Sequence, residues 1–340
     1  MGTQRVLRFC NLKIPPGYRN AGSSIRWRFL ENVTAIARGV PHLSVVIPTF
    51  NSGTQLIELL DALRGATPFP FEVIVSDNGS SDGTREVAST YDGGFEVRVI
   101  DSSLHKSTGY ARRVGASAAR ADKLIFIDHD DVPGASYLEA MKRALDRYPF
   151  VFSEVETKRL NPSWLHDITS GPGTGTVKTG GWEFVWGGTI GIDKALYDRC
   201  DGFSSDMTLD DAAFCFNVFL VSGVVPKHAG GALLHYRFRT TAKAVFKQRK
   251  RYGETQALTN HLFRPLGYGV EIERAVIARL LWHSVRSVPG WRNRTQRYVN
   301  AADLGLLVGR VEGNLKQIGK VWSTPIRCDS SIAYEATNER

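Results

Sequence analysis

Long apolar runs, closely spaced cysteines and a leader-like segment are all missing from this 340-residue sequence. No uninterrupted apolar stretch reaches the roughly 18 to 20 residues that a membrane-spanning helix needs. The first nine residues include arginines but no apolar core, so we expect no secretory signal. The four cysteines lie too far apart for the close pairs of a zinc site: Cys10, Cys200, Cys215 and Cys328. These absences predict a cytoplasmic protein with reduced thiols, and peripheral contact with the inner face of a membrane stays open.

The charge balance is basic, with 43 Lys and Arg against 34 Asp and Glu and a net charge of +9. Such an excess favours an anionic partner: nucleotide phosphates, nucleic acid or an acidic membrane surface. A solvated basic surface explains the excess equally well. Charge alone therefore does not choose among these classes.

Apolar, β-branched runs alternate with segments of helical spacing from residue 43 to residue 131, which is typical of a parallel sheet covered by helices on both faces. The predicted strands are 43–48, 71–76, 96–100 and 123–127, and the predicted helices are 53–64, a helix from 84, and 109–120. Helical spacing returns at 194–199, 211–221, 241–252, 272–285 and 300–320, whereas 161–186 is predicted as a long loop or lid. The expected divisions are an N-terminal extension (1–42), an α/β domain (43–255, with halves 43–131 and 132–255) and a helical C-terminal region (256–340).

A cluster of acids, Asp128-His129-Asp130-Asp131, follows the apolar run that predicts the fourth strand. Ligands of open α/β sheets bind beyond the carboxyl ends of such strands. Carboxylates about 5 Å apart repel by roughly 3 kcal/mol at an effective dielectric near 20. The cluster therefore predicts a cation, for which a hard divalent ion with oxygen ligands is the simplest choice.

Two further acidic segments allow two interpretations each. Asp77 and Asn78 follow the second strand, where they either contact a ligand or form a local turn with their own backbone. Asp210 and Asp211 open a predicted helix, where they either complement its dipole or supply a general base. Of this pair, Asp211 is the better candidate for the base.

The basic and histidine side chains are equally ambiguous. His235 lies on a strand-like stretch and is either a pocket residue or a core histidine. Arg239 and the run 247–251 match the geometry of a diphosphate but also suit a solvated helix face. The same choice applies to Arg112 and Arg113.

Taken in order, these segments over about 43–255 resemble the inverting family-2 glycosyltransferases with the GT-A fold. Residues 46–51 are similar to the opening strand of that family, whose turn lies against the nucleotide. The resemblance therefore implies nucleotide contacts for Pro48, Thr49, Phe50 and Asn51. The resemblance implies a uracil contact for Asp77, beside Asn78, and a nucleotide contact for Arg112. It also implies a nucleotide or ribose contact for Asp128 and a metal-ligand role for Asp130.

The second half of the resemblance concerns the sugar and acceptor side. Trp186, Gly187 and Gly188 are similar to the Gly-Gly segment that lines this pocket in the family. Asp210 and Asp211 stand where the family has Glu-Asp, which implies that Asp211 is the catalytic base. Residues 248–252 match the Gln-X-X-Arg-Trp element of processive synthases only in part, so the expectation is transfer of a single sugar.

The resemblance implies a mixed, mainly parallel Rossmann-like sheet and transfer from a nucleotide-diphosphate sugar, with a leaning to UDP. It also implies an acceptor hydroxyl on a small molecule, glycan or lipid-linked compound, and a Mn²⁺ or Mg²⁺ ion that neutralises the leaving diphosphate. The segment Gly171–Gly181 is expected to close over the donor.

Three rivals stay open: a nucleotidyltransferase, a transferase fold that binds a nucleotide without turnover, and a nucleic-acid-binding module. The loop after the first strand has no Lys or Arg, which disfavours the nucleotidyltransferase. Acids at the ligand edge would repel a polyanion, which disfavours nucleic acid. The C-terminal region has four roles open: covering the acceptor, forming a homodimer, resting on an anionic membrane, or packing on the α/β domain.

Overall fold

The β-branched runs form the first half of an eight-stranded sheet in the computed structural model, which describes residues 40–166, 168, 176–179, 182–204, 210–263, 273–286 and 293–318. The first strands are β1 (Leu43–Thr49), β2 (Phe71–Asp77), β3 (Glu96–Asp101) and β4 (Lys123–Phe126). They pair in parallel, β1 with β2 and β4, and β2 with β3. The helices between them are α1 (Gly53–Leu63), α2 (Thr84–Ser89) and α3 (Thr108–Ser117). The sequence predicts all seven, with ends that differ by at most three residues.

Antiparallel pairing enters in the second half of the sheet. The chain continues through β5 (Val132–Pro133), α4 (Tyr137–Leu145), β6 (Phe150–Glu156), β9 (Ile190–Asp193), α6 (Lys194–Arg199), α7 (Asp210–Ser222) and β10 (Lys227–His235). The strand order is β3-β2-β1-β4-β9-β6-β10-β5, and β9 runs antiparallel to both of its neighbours. The predicted mixed, mainly parallel sheet flanked by helices is confirmed.

The predicted long loop at 161–186 is wrong in part. It contains the short helix α5 (Ser163–His166) and a hairpin of β7 (Thr176–Thr179) and β8 (Trp182–Val185). Strands of four residues in a Gly- and Thr-rich stretch are too short for the alternation that identifies a strand. The predicted lid, Gly171–Gly181, lies outside the described residues except for β7, and it stays a prediction.

The two faces of the sheet bury separate apolar layers. Alternate residues of β1 point to opposite faces, so Val45 and Ile47 join one layer while Val46 joins the other. The first layer packs on α1 and α4, and the second packs on α6 and α7. Both layers fix the carboxyl ends of β1, β2 and β4 at one edge.

A buried carboxylate ties β1, β2 and β3 together near the amino ends of the strands. Glu72 is fully buried and accepts hydrogen bonds from Ser44 Oγ at 2.7 Å, Arg98 Nη1 at 2.9 Å and the Arg120 backbone N–H at 2.7 Å. Burial raises the pKa of Glu72, but these hydrogen bonds and the two arginines bring it below its ordinary value. The charge is therefore held ionised by its partners.

Removing one of those partners tests the network. We expect Ser44→Ala to lower the free energy of unfolding by about 1–3 kcal/mol, because the buried Glu72 oxygen loses a donor and the Ala121 N–H loses its acceptor. Urea unfolding followed by circular dichroism measures the change. Ser89→Ala, at an exposed helix end, is the matched control and should stay within about 0.5 kcal/mol. Equal effects of the two substitutions would contradict the role given to Glu72.

Three helices follow the sheet: α8 (Ala242–Phe263), α9 (Glu273–Arg286) and α10 (Arg294–Gln317). Helices α8 and α10 touch through their backbones at glycines. A Cβ at Gly309 would lie 1.9 Å from the Lys250 carbonyl oxygen, and one at Gly253 would lie 2.4 Å from that of Leu306. Neither position accepts a side chain without moving a helix.

Helix α8 runs through the predicted boundary at residue 255, and the domain limits stay predictions. None of the helices within the described ranges is both long and apolar enough to cross a membrane.

Candidate active site

The turn after β1 and the ends of β2 and β4 meet at one edge of the sheet. Thr49 pairs with Asp77 in the β1–β2 register, and the Asn78 N–H donates to the Thr49 carbonyl at 2.8 Å. On the other side, His129 Nδ1 lies 3.1 Å from the Pro48 carbonyl oxygen. The predicted nucleotide segments are therefore adjacent in space.

The turn itself is held by polar contacts with the loop that follows β2. Asn51 has a left-handed backbone (φ 51°) and accepts the Ser81 N–H at 2.8 Å. Phe50, by contrast, is 50% exposed, and Lys106 Nζ lies 5.2 Å from its ring centre. A flat, exposed ring at this edge is free to stack on a planar ligand.

Asp77 and Asn78 are both buried and both make local contacts. The Asp77 carboxylate accepts the N–H groups of Gly79 at 3.3 Å and Ser80 at 3.2 Å, which is the turn interpretation of this residue. The Asn78 side chain donates to the carbonyls of Ser102 and His105. These contacts shape the loop at the ligand edge, and a ligand role for either side chain stays a prediction.

Asp128 is paired with a buried arginine from α3. Arg112 is 4% exposed, its Nη2 lies 2.6 Å from Asp128 Oδ1, and its guanidinium packs 5.2 Å from the centre of the Phe203 ring. A Cβ at Gly188 would lie 2.9 Å from the Asp128 carboxylate. The Gly-Gly segment thus approaches the acid closely because it has no side chains.

The other two acids of the cluster also have cationic neighbours. Asp130 Oδ2 lies 2.9 Å from Arg239 Nη1. Asp131 is buried and accepts the Arg237 backbone N–H at 3.0 Å, while Arg237 Nε donates to the Asp130 carbonyl. Burial, followed by repulsion from Asp130 and Asp128, raises the pKa of Asp131 well above its ordinary value. Arginines therefore offset much of the repulsion, so repulsion alone does not require a metal ion.

Asp211 lies beside the Gly-Gly segment and Arg112. Its carboxylate accepts the backbone N–H of Gly187 at 3.3 Å and that of Ala212 at 2.9 Å. A Cβ at Gly187 would overlap the Arg112 guanidinium at 2.3 Å, so the three groups are in contact. Burial raises the pKa of Asp211, and the charge of Arg112 opposes that rise. The side chain of Asp210 lies outside the described part of the structure.

Aromatic side chains pack together beside Asp211 and the Gly-Gly segment. The ring centres of Trp186 and Tyr236 lie 4.9 Å apart, and those of Tyr236 and Phe238 lie 5.0 Å apart. Burial and the charge of Asp211 raise the pKa of Tyr252 to about 12, so its hydroxyl stays protonated. The sequence analysis assigned no role to Tyr236, and the available signal was the alternation of aromatic and basic residues over 236–239, directly after β10.

His235 lies in a separate polar cluster. Its Nδ1 is 2.8 Å from Glu156 Oε2, and its Nε2 is 3.0 Å from Arg159 Nη1. Arg159 can only donate, so Nε2 accepts and Nδ1–H donates to the carboxylate. Among the contacts of the described residues, none joins His235 to Asp128, Asp130 or Asp211.

The sequence model of glycosyl transferase family 2 matches residues 44–191, which run from β1 to β9. Residues 44–191 are a domain of glycosyl transferase family 2. The predicted family is therefore confirmed for this part of the chain, and the relatives that match it are named as glycosyltransferases.

Named relatives of this family 2 domain act on different molecules. Validoxylamine A glucosyltransferase of Streptomyces hygroscopicus subsp. limoneus is 39% identical over 31% of this chain and 24% of its own length. Dolichyl-phosphate β-glucosyltransferase of Drosophila melanogaster is 32% identical over 37% of this chain and 38% of its own length. The chain thus spans about a quarter of the length of the relative named first.

A solved structure extends the similarity of fold beyond the family match. A mannosyltransferase from Pyrobaculum calidifontis, in complex with GDP-Man and Mn²⁺, superimposes with a TM-score of 0.55 at 15% identity. The match covers 81% of this chain and 87% of that one. At this identity the likeness concerns the fold, which is the predicted GT-A arrangement.

Proposed function

We propose that this chain transfers one sugar, with inversion, from a nucleotide-diphosphate sugar to an acceptor hydroxyl. The observation that carries the proposal is the junction of Asp128, Arg112, Gly187 and Asp211. It brings acids from two distant parts of the chain to one edge of the sheet. A uridine donor is the preferred candidate, with the base lying between Phe50 and the turn after β2.

Asp211 is proposed as the general base. Its carboxylate is held by two backbone N–H groups at the start of α7, and it lies on the aromatic side of the site where an acceptor ring can stack. The acceptor hydroxyl gives its proton to Asp211 as its oxygen attacks the anomeric carbon. The bond from that carbon to the diphosphate breaks, and the configuration inverts because no enzyme nucleophile intervenes.

A divalent metal is proposed at the acid cluster. The carboxylates of Asp130 and Asp128 offer the oxygen ligands that Mg²⁺ and Mn²⁺ accept, and Asp130 is held at the edge by Arg237. Within the described ranges, no group of three His, Cys, Asp or Glu side chains is placed to bind a metal, so substrate phosphates and water must complete the shell. The ion supplies a positive charge that stabilises the leaving diphosphate. Arg239, already at Asp130, is suited to add a second cation there.

A thermal-shift panel tests the class and the donor together. We expect one sugar nucleotide among UDP, GDP and dTDP donors to stabilise the protein in the presence of Mn²⁺, by about 2.7 kcal/mol at a concentration 100 times its Kd. Turnover should then release the nucleoside diphosphate, whereas a nucleotidyltransferase would release or consume pyrophosphate. No shift with any donor would contradict the proposal.

Substitutions at two neighbouring acids distinguish a residue that binds the metal from one that only stabilises the loop. Asp130→Asn should abolish the metal-dependent part of the shift, because a neutral amide is a much weaker ligand. Asp131→Asn is the matched control, since an amide oxygen still accepts the Arg237 N–H. Equal loss in both variants would point to a general disturbance of the loop.

A further inference from the structure

Helix α10 packs on its neighbouring helices with one broad side. At Gly305, Gly309 and Gly313, an added Cβ would lie 2.8 Å or less from a backbone oxygen of α8. Leu306 and Leu307 pack on α9. At 100° per residue, these contacts occupy about 200° of the helix circumference. The rest of the circumference points away from both helices.

That remaining side of α10 carries a row of apolar side chains. Their spacing alternates between four and three residues, which keeps them on one face of a helix: Leu304, Val308, Val311, Leu315 and Ile318. Val311 is 39% exposed, Leu315 is 60% exposed and Ile318, the C-cap, is 74% exposed. Exposed apolar residues that stand singly are ordinary, whereas a contiguous row marks an interaction surface. We name these five residues the α10 stripe.

The spacing of the α10 stripe favours another helix as its partner. It is the spacing of the a and d positions at a seam between two helices, where each side chain enters a hole between four residues of the facing helix. The stripe extends over 14 residue steps, or about 21 Å at 1.5 Å per residue. A second helix with the same periodicity is therefore the complementary surface.

The charges beside the α10 stripe cancel. Glu312 Oε2 lies 2.9 Å from Lys250 Nζ, and Lys316 Nζ lies 3.1 Å from Glu254 Oε2. The chain as a whole carries a net charge of +9, so two copies repel each other on average. A rim of paired charges adds nothing to that repulsion and offers no excess positive charge to an anionic partner. This balance favours a second copy of the chain.

The α10 stripe is also self-complementary. Val311 is its midpoint, and Leu304 and Ile318 stand seven residues away on either side. A two-fold axis through Val311 would place Leu304 of one copy opposite Ile318 of an antiparallel second copy, and Val308 opposite Leu315. In a parallel pair, Val311 would again face the same residue of the other copy. Both arrangements bring the two Val311 side chains together.

We propose that the α10 stripe is an interface between two copies of this chain, related by a two-fold axis near Val311. Five side chains per copy bury less than the roughly 800 Å² per partner of a standard interface, so the dimer is reversible and depends on concentration. The stripe lies on the side of α10 opposite α8, so each copy keeps its own candidate active site. The inference is independent of the donor, the acceptor and the general base.

Sedimentation equilibrium of the full-length chain tests the dimer. We expect a monomer at about 1 µM and a growing fraction of dimer up to about 300 µM. Val311→Glu should weaken the association by about 10-fold or more, because two carboxylates would then face each other in an apolar contact. Val311→Lys should weaken it in the same way, since two ammonium groups would meet.

Mixing the two variants tests the position of the axis. Val311→Glu and Val311→Lys together should form a mixed dimer about 10-fold or more tighter than the dimer of either variant alone, because opposite charges then face each other. A fluorescent label on one variant allows the mixed species to be followed by sedimentation. This recovery requires an interface in which position 311 of one copy meets position 311 of the other.

Val225, in the loop before β10, supplies the matched control. It is another exposed valine, at 47%, and Val225→Glu and Val225→Lys make the same changes of charge. These variants should dimerise within about twofold of the unaltered protein, because they act only through long-range charge. Leu315→Gln changes no charge and should also weaken the dimer, so it carries the test if a Val311 variant does not fold. Circular dichroism checks the helices of every variant.

Three outcomes would overturn the proposal. They are a monomer at every concentration, equal weakening by the Val225 and Val311 variants, and no recovery when the two Val311 variants are mixed. A protein that stays monomeric and is destabilised by Val311→Glu in thermal unfolding would assign the α10 stripe to packing within one chain.

Discussion

Asp211→Asn is expected to lower kcat by about 10²- to 10⁴-fold while leaving donor binding intact. The amide has nearly the same shape and still accepts one of the two backbone N–H groups, but it cannot take the acceptor proton. Release of the nucleoside diphosphate under saturating donor and acceptor measures turnover, and the metal-dependent thermal shift measures donor binding. We therefore expect kcat to fall while the metal-dependent thermal shift stays unchanged.

Its neighbour supplies the control, because Asp210 also opens α7. Asp210→Asn removes the same charge from the same helix end and should change kcat by less than about 10-fold if it acts only on the dipole. Normal turnover by Asp211→Asn would show that the base is elsewhere. If only Asp210→Asn lost turnover, Asp210 would be the general base and Asp211 would be the residue that complements the helix dipole.

Arg112→Gln is expected to lower the free energy of unfolding at neutral pH by about 3–5 kcal/mol, the range for breaking a buried ion pair. The buried guanidinium lies 2.6 Å from Asp128 and opposes the burial that raises the pKa of Asp211. Without it, both carboxylates lose their cation. Urea unfolding and the pH dependence of kcat measure the two consequences.

The sign of the pH effect follows from the direction of that shift. In the variant the pKa of Asp211 rises further, so more protons bind to the folded state than to the unfolded one as the pH falls. The stability deficit is therefore largest at neutral pH and shrinks in acid. The acidic limb of the kcat profile moves to higher pH, because the base stays protonated over a wider range.

Arg113, next along α3, provides the matched control for Arg112. It pairs with the exposed Asp201 at 2.5 Å and is itself 36% exposed, so Arg113→Gln should cost no more than about 1 kcal/mol and leave the pH profile in place. Equal effects of the two substitutions would contradict the special role of the buried arginine.

Local patterns were sufficient to predict the first half of the sheet, from β1 to β4. Strands β1, β2 and β4 are buried on both faces and therefore appear as continuous apolar runs. Strand β9 carries only four residues, two of them isoleucine, and its position between β4 and β6 depends on pairing with strands that are distant in sequence. No pattern within the four residues of β9 specifies that this strand lies between β4 and β6.

The sequence identified the acidic residues of the site but not the ion pairs that they form. The position of Asp128 after a buried strand marks it as a ligand residue, yet its partner Arg112 lies on a helix that precedes β4. Likewise, His235 was ambiguous because its partners Glu156 and Arg159 come from the end of β6 and the loop beyond it. Ion pairs across elements depend on tertiary packing, which spacing along one segment does not record.

The glycine contacts between α8 and α10 have a consequence for engineering. Tyr252, whose pKa responds to Asp211, lies on α8, and that helix touches the α10 backbone at Gly253 and Gly309. Chimaeras that import the C-terminal helices from a related protein must therefore exchange α8 and α10 together. A hybrid that mixes them would force a side chain into backbone and displace Tyr252 from its place near Asp211.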